Sequence, residues 1–320
     1  MTKDGAVGTS RLFTAAVTLT PAEPEHFDLA FTAVTQACPW PKAYGGDLVA
    51  AAAAAAMRSV TDGKTLHSMH SYFLRPADIG AAVSYEVELL RDGRGYSTRQ
   101  VRGYQHGKPV YACLASFAAG ETGGGTFESS QRETAVARAG AIPDPDDLPT
   151  SAAYLDAQAG TSLAENSSMS ERSRAYWSGG RSFDMRHLPG PVYLTIEGDR
   201  VPHQAVWVKP CDALRPVPGL SDEQRDVAAL AYVCDYTILE PVLRVLGLPW
   251  AKPGLVTASL DHAMWFHRPA EDAGAAGDWL LYAQEAVAAD AGRGVGAGKF
   301  FTRDHRHLAT VVQEGIFRSA

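Results

Sequence analysis

"YGGDLVAAAAAAAMRSV", residues 44–60, decides how the rest of the chain is read. Alanine has the highest intrinsic helix propensity, and its small side chains let another layer of backbone come close. Thr61, Asp62 and Gly63 then stop the helix. The runs that follow, "TLHSMHSYFLR", "AVSYEVELLR", "YSTRQVRGYQ" and "PVYACLASF", read as strands, separated by turn signals at residues 76–80, Asp92-Gly93 and His106-Gly107. One slim helix followed by antiparallel strands predicts an α+β fold in which a sheet packs on a central helix.

The same order occurs twice. "SYFLRPADIG" (residues 71–80) and "MWFHRPAEDAG" (residues 264–274) share an apolar-aromatic run ending in Arg-Pro-Ala, and "DGRGYSTRQVRGYQHG" has a counterpart in "AGRGVGAGKFFTRDHR". Placing Arg94 on Arg293 gives an offset of 199 and also puts His106 on His305; placing Arg75 on Arg268 gives 193. At these offsets Gln313 falls on Leu114 and Ser259 on Leu66. A spacing far beyond about 50 residues means repeated domains rather than a solenoid. The second copy reads as "AVWVK", one helix over about residues 221–247, then strands in "GLVTASLDHAMWFHR", "WLLYAQEAVAA", "VGAGKFFTR" and "LATVVQEGIFR". This divides the chain into a first domain (1–118), a partly mobile linker (119–190) and a second domain (191–320). The linker is rich in Gly, Ser, Pro and acid ("GETGGG", "IPDPDDLP", "ENSSMSERS"), with a short helix expected near "SAAYLDAQ".

Composition narrows the function. The 320 residues are 46% hydrophobic and 20% charged, with a formal charge of -7, and their Lys and Arg are not clustered. That argues for a globular protein and against a nucleic-acid surface. No apolar run reaches the length of a membrane span, the N-terminus lacks a signal-peptide core, and the final "RSA" is not a peroxisomal address, so a cytoplasmic location is expected. Cys38, Cys113, Cys211 and Cys234 form no CxxC pair and read as free thiols, Cys113 and Cys234 filling the core.

Three polar residues stand where apolar ones are expected. Asp235 lies in "LAYVCDYTILEPVLRVLG", among Leu230, Val233, Cys234, Ile238, Leu239 and Val242. Burial would raise its pKa toward a value useful to a general base; equally, it could cap a local donor or pair with Arg244. Ser259 sits inside a strand pattern, and Gln313 interrupts "LATVVQEGIF", where a buried amide needs partners. Each, read alone, is a satisfied core group or a catalytic one. Asp47, in the first turn of the alanine helix, reads as a cap of its N-terminal amides. "GVGAGKFF" lacks the leading Gly and the Ser or Thr of a phosphate loop, no GxSxG elbow is present, and a zinc site from Asp261, His262 and His267 would need ligands on opposite strand faces. No metal or redox cofactor is called for.

"YGGDLVAAAAAA", "LHSMHSYFLRPAD", "LRDGRGYSTRQV", "HQAVWVK", "LAYVCDYTIL", "SLDHAMWFHRP" and "VVQEG" together resemble the acyl-CoA thioesterase II family, over residues 40–118 and about 183–318. The resemblance implies two tandem hotdog domains, each a curved antiparallel sheet wrapped around a central helix. It also implies hydrolysis of acyl-CoA by a water held between an Asp, a Ser or Thr, and a Gln, which fall here on Asp235, Ser259 and Gln313. Relatives carry Gln where this chain has Asp47, and the motif around His262 and His267 reads as structural. Arg94, Arg99, Arg293 and Lys299 are candidates for the CoA phosphates, because phosphate oxygens favour Arg and Lys donors. A homo-oligomer, first a dimer, is expected, with no membrane or nucleic-acid partner. A hotdog enoyl-CoA hydratase and a non-catalytic acyl-CoA-binding protein are the competing classes; the hydratase is disfavoured by the lack of a closely spaced Asp and His in one loop.

Overall fold

A computed structural model describes residues 9–120, 127–267 and 278–319. The "ETGGG" part of the expected linker and the Arg-Pro-Ala of the second repeat, with its superposition of Arg75 on Arg268, lie outside the described residues.

The first half opens with α1 (Arg11–Val17), β1 (Thr20–Ala22) and β2 (Leu29–Val34), continues into α2 (Gly45–Arg58), and is completed by β3 (Thr65–Phe73), β4 (Ala82–Asp92), β5 (Tyr96–Gln105) and β6 (Lys108–Ala118). Every residue of α2 from Gly46 to Met57 is buried, so the alanine run is the core of this half. Strands β2 to β6 lie against it.

The span read as a linker contains α3 (Ala135–Ala139), α4 (Ser151–Ala157), α5 (Ser162–Glu165), α6 (Glu171–Ala175) and β7 (Phe183–Leu188). Helix α4 falls on "SAAYLDAQ" as expected; the other short helices and β7, which pairs with β8 (His203–Pro210), were not. Four of these helices are capped by a Ser or Thr side chain at Thr134, Thr150, Thr161 and Ser170, which is why so polar a stretch is ordered into turns.

The expected long helix over residues 221–247 is broken. Helix α7 (Asp222–Val233) ends in a 3-10 turn (Cys234–Tyr236), and α8 (Glu240–Leu246) starts afresh after Thr237, which has left helical geometry. Pro241 near the start of α8 explains the restart: it has no N–H to continue a helix and suits a first turn. The carbonyls freed by the break are satisfied by side chains, Tyr232 O by Tyr44 Oη (2.6 Å) and Cys234 O by Tyr282 Oη (3.2 Å).

Strands β9 (Leu255–Ser259), β10 (Asp261–Phe266), β11 (Leu280–Asp290), β12 (Arg293–Thr302) and β13 (His307–Ser319) complete the second half. Among the described residues all thirteen strands join one sheet, in the order β1-β2-β4-β5-β6-β3-β10-β13-β12-β11-β8-β7, with β9 pairing with β13. Each half repeats one order, β2-β4-β5-β6-β3 and β8-β11-β12-β13-β10. This is the double hotdog, with the halves joined antiparallel through β3 and β10, where Met69 lies opposite Met264.

The second half makes room for its core differently. In place of alanines on the helix it has glycines on the strand: a Cβ on Gly296 of β12 would lie 2.1 Å from Ile238 O, and one on Gly294 2.5 Å from Val242 Cγ1. The ladders also correct the repeat alignment. With Arg99 on Gly298 at the offset of 199, their partners Ala115 and Val311 are 196 apart, so Gln313 corresponds to Phe117 rather than Leu114. Across the next ladder Ala115 pairs with Met69 and Val311 with Met264, which gives 195 for the preceding strand and moves the counterpart of Ser259 from Leu66 to Lys64. Neither Phe117 nor Lys64 reproduces the polar group found in the second half.

Candidate active site

The helix break carries the site. Asp235 lies in the 3-10 turn between α7 and α8, Ser259 ends β9, and Gln313 faces inward from the middle of β13. Ser259 Oγ donates to Asp235 Oδ1 at 3.1 Å and Gln313 Nε2 donates to the same oxygen at 2.7 Å; Gln313 Nε2 also reaches Ser259 Oγ at 2.9 Å. Three residues distant in sequence thus form a closed triangle. Arg244 is not a partner of Asp235; it donates to Gly190 O and Glu197 O and to the side chain of Gln204.

Burial pushes the Asp235 carboxyl up to about 6, against the hydrogen bonds from Gln313, Ser259 and the Gly46 amide, which favour its charged form. The residue is nonetheless half-buried rather than sealed. Gln313 is fully buried, and its Oε1 has no hydrogen-bond partner among the described residues. An acceptor left over beside a carboxylate of raised pKa is suited to orienting a small donor such as water.

The first half completes the site, and the sequence alone did not show this. Gly45, at the start of α2, lies so close that a Cβ there would sit 2.6 Å from Asp235 Oδ2. The preceding Tyr44 stacks on Tyr236, the residue after Asp235, with ring centroids 4.3 Å apart. The paired glycines before an apolar helix were the available signal, since a glycine in a first helical turn has little reason to be there except close approach.

Asp47 is not a cap: the N-cap of α2 is Tyr44, which makes no side-chain capping bond. Asp47 is buried, accepts from the Gln36 amide at 2.7 Å, and leaves Oδ1 without a partner among the described residues; burial pushes it up to about 7. Of the four candidate phosphate ligands, Arg99 is withdrawn. It is buried and its guanidinium is committed to Asp92, Ser59 and nearby carbonyls. Lys299 donates to Ser129 at 2.8 Å, Arg293 is more than half exposed and faces Glu314 at 3.8 Å, and Arg94 is exposed in the β4–β5 turn. His262 is buried against Cys234 Sγ at 3.3 Å and His267 meets Thr310, so neither is the partner of Ser259. All four cysteines are free.

Two helix-and-sheet halves joined through β3 and β10 into one sheet define the class as a double hotdog. Residues 36–118 match the family described as acyl-CoA thioesterase N-terminal domain and residues 145–317 the one described as acyl-CoA thioesterase C-terminal domain. The chain belongs to the acyl-CoA thioesterase II family. It is 31% identical over 294 residues to acyl-CoA thioesterase 2 of Haemophilus influenzae, covering 91% of this chain and 93% of that one. It is 29% identical over 286 residues to human acyl-coenzyme A thioesterase 8, covering 88% and 82%. Among solved structures, an acyl-CoA thioesterase II from Mycobacterium marinum superposes with a TM-score of 0.70 at 28% identity, covering 96% of this chain and 98% of that one. Among the described residues no helix is long and apolar enough to cross a membrane.

Proposed function

We propose that Asp235, Ser259 and Gln313 are the catalytic residues of this chain. As a member of its family the chain is an acyl-CoA thioesterase: water adds to the thioester carbonyl, the carbon–sulfur bond breaks, and free CoA and a carboxylic acid leave. Asp235 takes the proton from the attacking water and returns it to the departing thiolate, while Gln313 and Ser259 fix the carboxylate and the water. The N-terminus of α2, which brings Gly45 to the same carboxylate, favours negative charge at this point. The observation that supports the reading is the convergence of both donors on Asp235 Oδ1.

The test follows release of free thiol from acyl-CoA. Asp235→Asn preserves the shape and removes the base, and kcat should fall by roughly 10² to 10⁴ with the fold intact. Combining it with Gln313→Ala should cost little more than the worse single variant, because the groups act on one water. A variant at Asp235 that keeps most of its activity would make the carboxylate structural. No thiol release by the wild type would favour the hydratase or the non-catalytic acyl-CoA-binding reading.

The CoA phosphates are assigned to Arg94, Arg293 and Lys299; an unchanged KM after replacing all three with Ala would remove that assignment. The enzyme is read as cytoplasmic and as a homo-oligomer, a dimer first. Sedimentation of a monomer of 34.1 kDa at micromolar concentration would count against the dimer.

A further inference from the structure

Two side chains of one strand hold the turn that carries Asp235. Tyr282 and Gln284 are two residues apart on β11 and so point to the same face of the sheet. Tyr282 Oη donates to Cys234 O at 3.2 Å, and Gln284 Nε2 donates to Thr237 Oγ1 at 2.7 Å. The residues they grip lie on either side of Asp235. Tyr282 is itself fixed: its ring stacks on Phe300 with centroids 3.9 Å apart, and a Cβ on Gly298 of β12 would lie 2.4 Å from that ring.

The Gln284 amide is oriented from behind. Its Oε1 accepts from Gln204 Nε2 at 2.8 Å, the same nitrogen donates to Glu240 Oε2 at 2.8 Å, and Gln204 Oε1 accepts from Arg244 Nη2 at 3.3 Å. A guanidinium can only donate, so Arg244 fixes which end of the Gln204 amide faces it. Gln204 then turns its nitrogen to Gln284, whose own nitrogen is left to face Thr237. Thr237, Gln204, Gln284, Glu240 and Arg244 are all at most 3% exposed. Apolar residues of similar volume often stabilise a core at least as well as a buried charged set, whereas a fully hydrogen-bonded set specifies one arrangement. The first half has no such clamp. Gln284 pairs with Gly298 and Tyr282 with Phe300, as Leu89 pairs with Arg99 and Val87 with Val101, so the counterparts of the two gripping residues are Leu89 and Val87, neither with a side-chain donor.

We propose that Gln284 is a positioning residue for thioester hydrolysis: with Tyr282 it clamps the turn between α7 and α8 in the geometry that presents Asp235 to Ser259 and Gln313. This rests on the assignment of Asp235 as the base and adds the groups that hold it in place. Gln284 acts through Thr237 and takes no part in the chemistry. The buried set of Gln204, Glu240 and Arg244 serves to keep its amide the right way round.

The experiment reads kcat and KM from thiol release with hexanoyl-, decanoyl- and palmitoyl-CoA, and the melting temperature, for the wild type, Thr237→Val, Thr237→Ser, Gln284→Met and the double variant Thr237→Val with Gln284→Met. Thr237→Val exchanges one hydroxyl for a methyl group. It should lower kcat by about 10-fold or more with KM within about 3-fold, since a misplacement of about 1 Å in a reacting group can cost about 10². Thr237→Ser returns the hydroxyl and should bring kcat back to within about 3-fold of the wild type. Gln284→Met should lower kcat as Thr237→Val does, and the double variant should be little worse than the worse single one, because both remove the same bond. A Thr237→Val that keeps its kcat, a serine variant no better than the valine one, or losses that add in the double variant would each overturn the proposal. So would a lower melting temperature with kcat unchanged, which would make the clamp a matter of stability alone. If Gln284→Met fails to fold, the two Thr237 variants decide. Asp235→Asn separates the proposal from the reading beneath it: an inactive Asp235→Asn beside a fully active Thr237→Val removes only the positioning role, whereas an active Asp235→Asn removes the base and the clamp's purpose together.

Discussion

A carboxyl that burial holds near pH 6 must lose its proton before it can take one from water. Thiol release should therefore rise with pH through a single ionisation and level off above about 6, and a limb centred near 4 would show that burial does not raise the pKa of the base. Asp47 obeys the same physics with a different outcome. Its pKa is raised, so the native state holds that proton more tightly than the unfolded chain does. The stability it contributes is complete below about 4 and is lost as pH rises toward about 7. Asn at this position keeps an acceptor for the Gln36 amide and cannot ionise. Asp47→Asn should stabilise the fold by about 1–3 kcal/mol at pH 8 and by little at pH 4, read from urea unfolding at the two pH values. A difference independent of pH would show that Asp47 does not titrate in the folded protein.

At the level of elements, the site depends on where two helices begin. Gly45→Ala should help α2 by up to about 1 kcal/mol in propensity while driving a methyl group into Asp235 Oδ2. We expect kcat to drop by about 10-fold or more with an unchanged or raised melting temperature, a split that thiol release and thermal unfolding together would reveal. Parallel losses of both would mean that the methyl disturbs packing in general. The break that exposes Asp235 was legible as Pro241 inside an apolar run, yet the continuous hydrophobic pattern from Leu230 to Leu246 outweighed it. Ser259 and Gln313 were legible because each is polar in a strand that otherwise reads as buried. Arg99 was misread because its charge was visible in the sequence and its partner Asp92, across the β4–β5 turn, was not.

Over the whole molecule, the duplication, the α+β class and the helix-in-sheet arrangement were all contained in the order of alanine helix, strands and turns. Their alignment was not, because the hairpins differ in length: β5 and β6 are joined through His106-Gly107, whereas β12 and β13 are joined through residues 303–306. The approach of Gly45 to Asp235 was hidden for a related reason, since a contact between the two halves leaves no local mark. A second half alone would keep Asp235, Ser259 and Gln313 and lose Tyr44 and Gly45. We expect such a fragment, even where circular dichroism shows it folded, to release no thiol until the first half is added back; activity without the first half would show that the site is not shared.

Phe117 stands where symmetry would put a second Gln313, and on the proposed assignment of Asp235, Ser259 and Gln313 this predicts that one polypeptide processes one molecule of substrate at a time. Two hotdogs would then share one reaction centre between them. Titration with a tightly bound, non-hydrolysable thioether analogue of acyl-CoA should saturate at one equivalent per chain, so an assembly of two chains would work two substrates rather than four. On that assignment the half without the amide carries no chemistry of its own, yet its Gly45 must still fit against a carboxylate carried by the other.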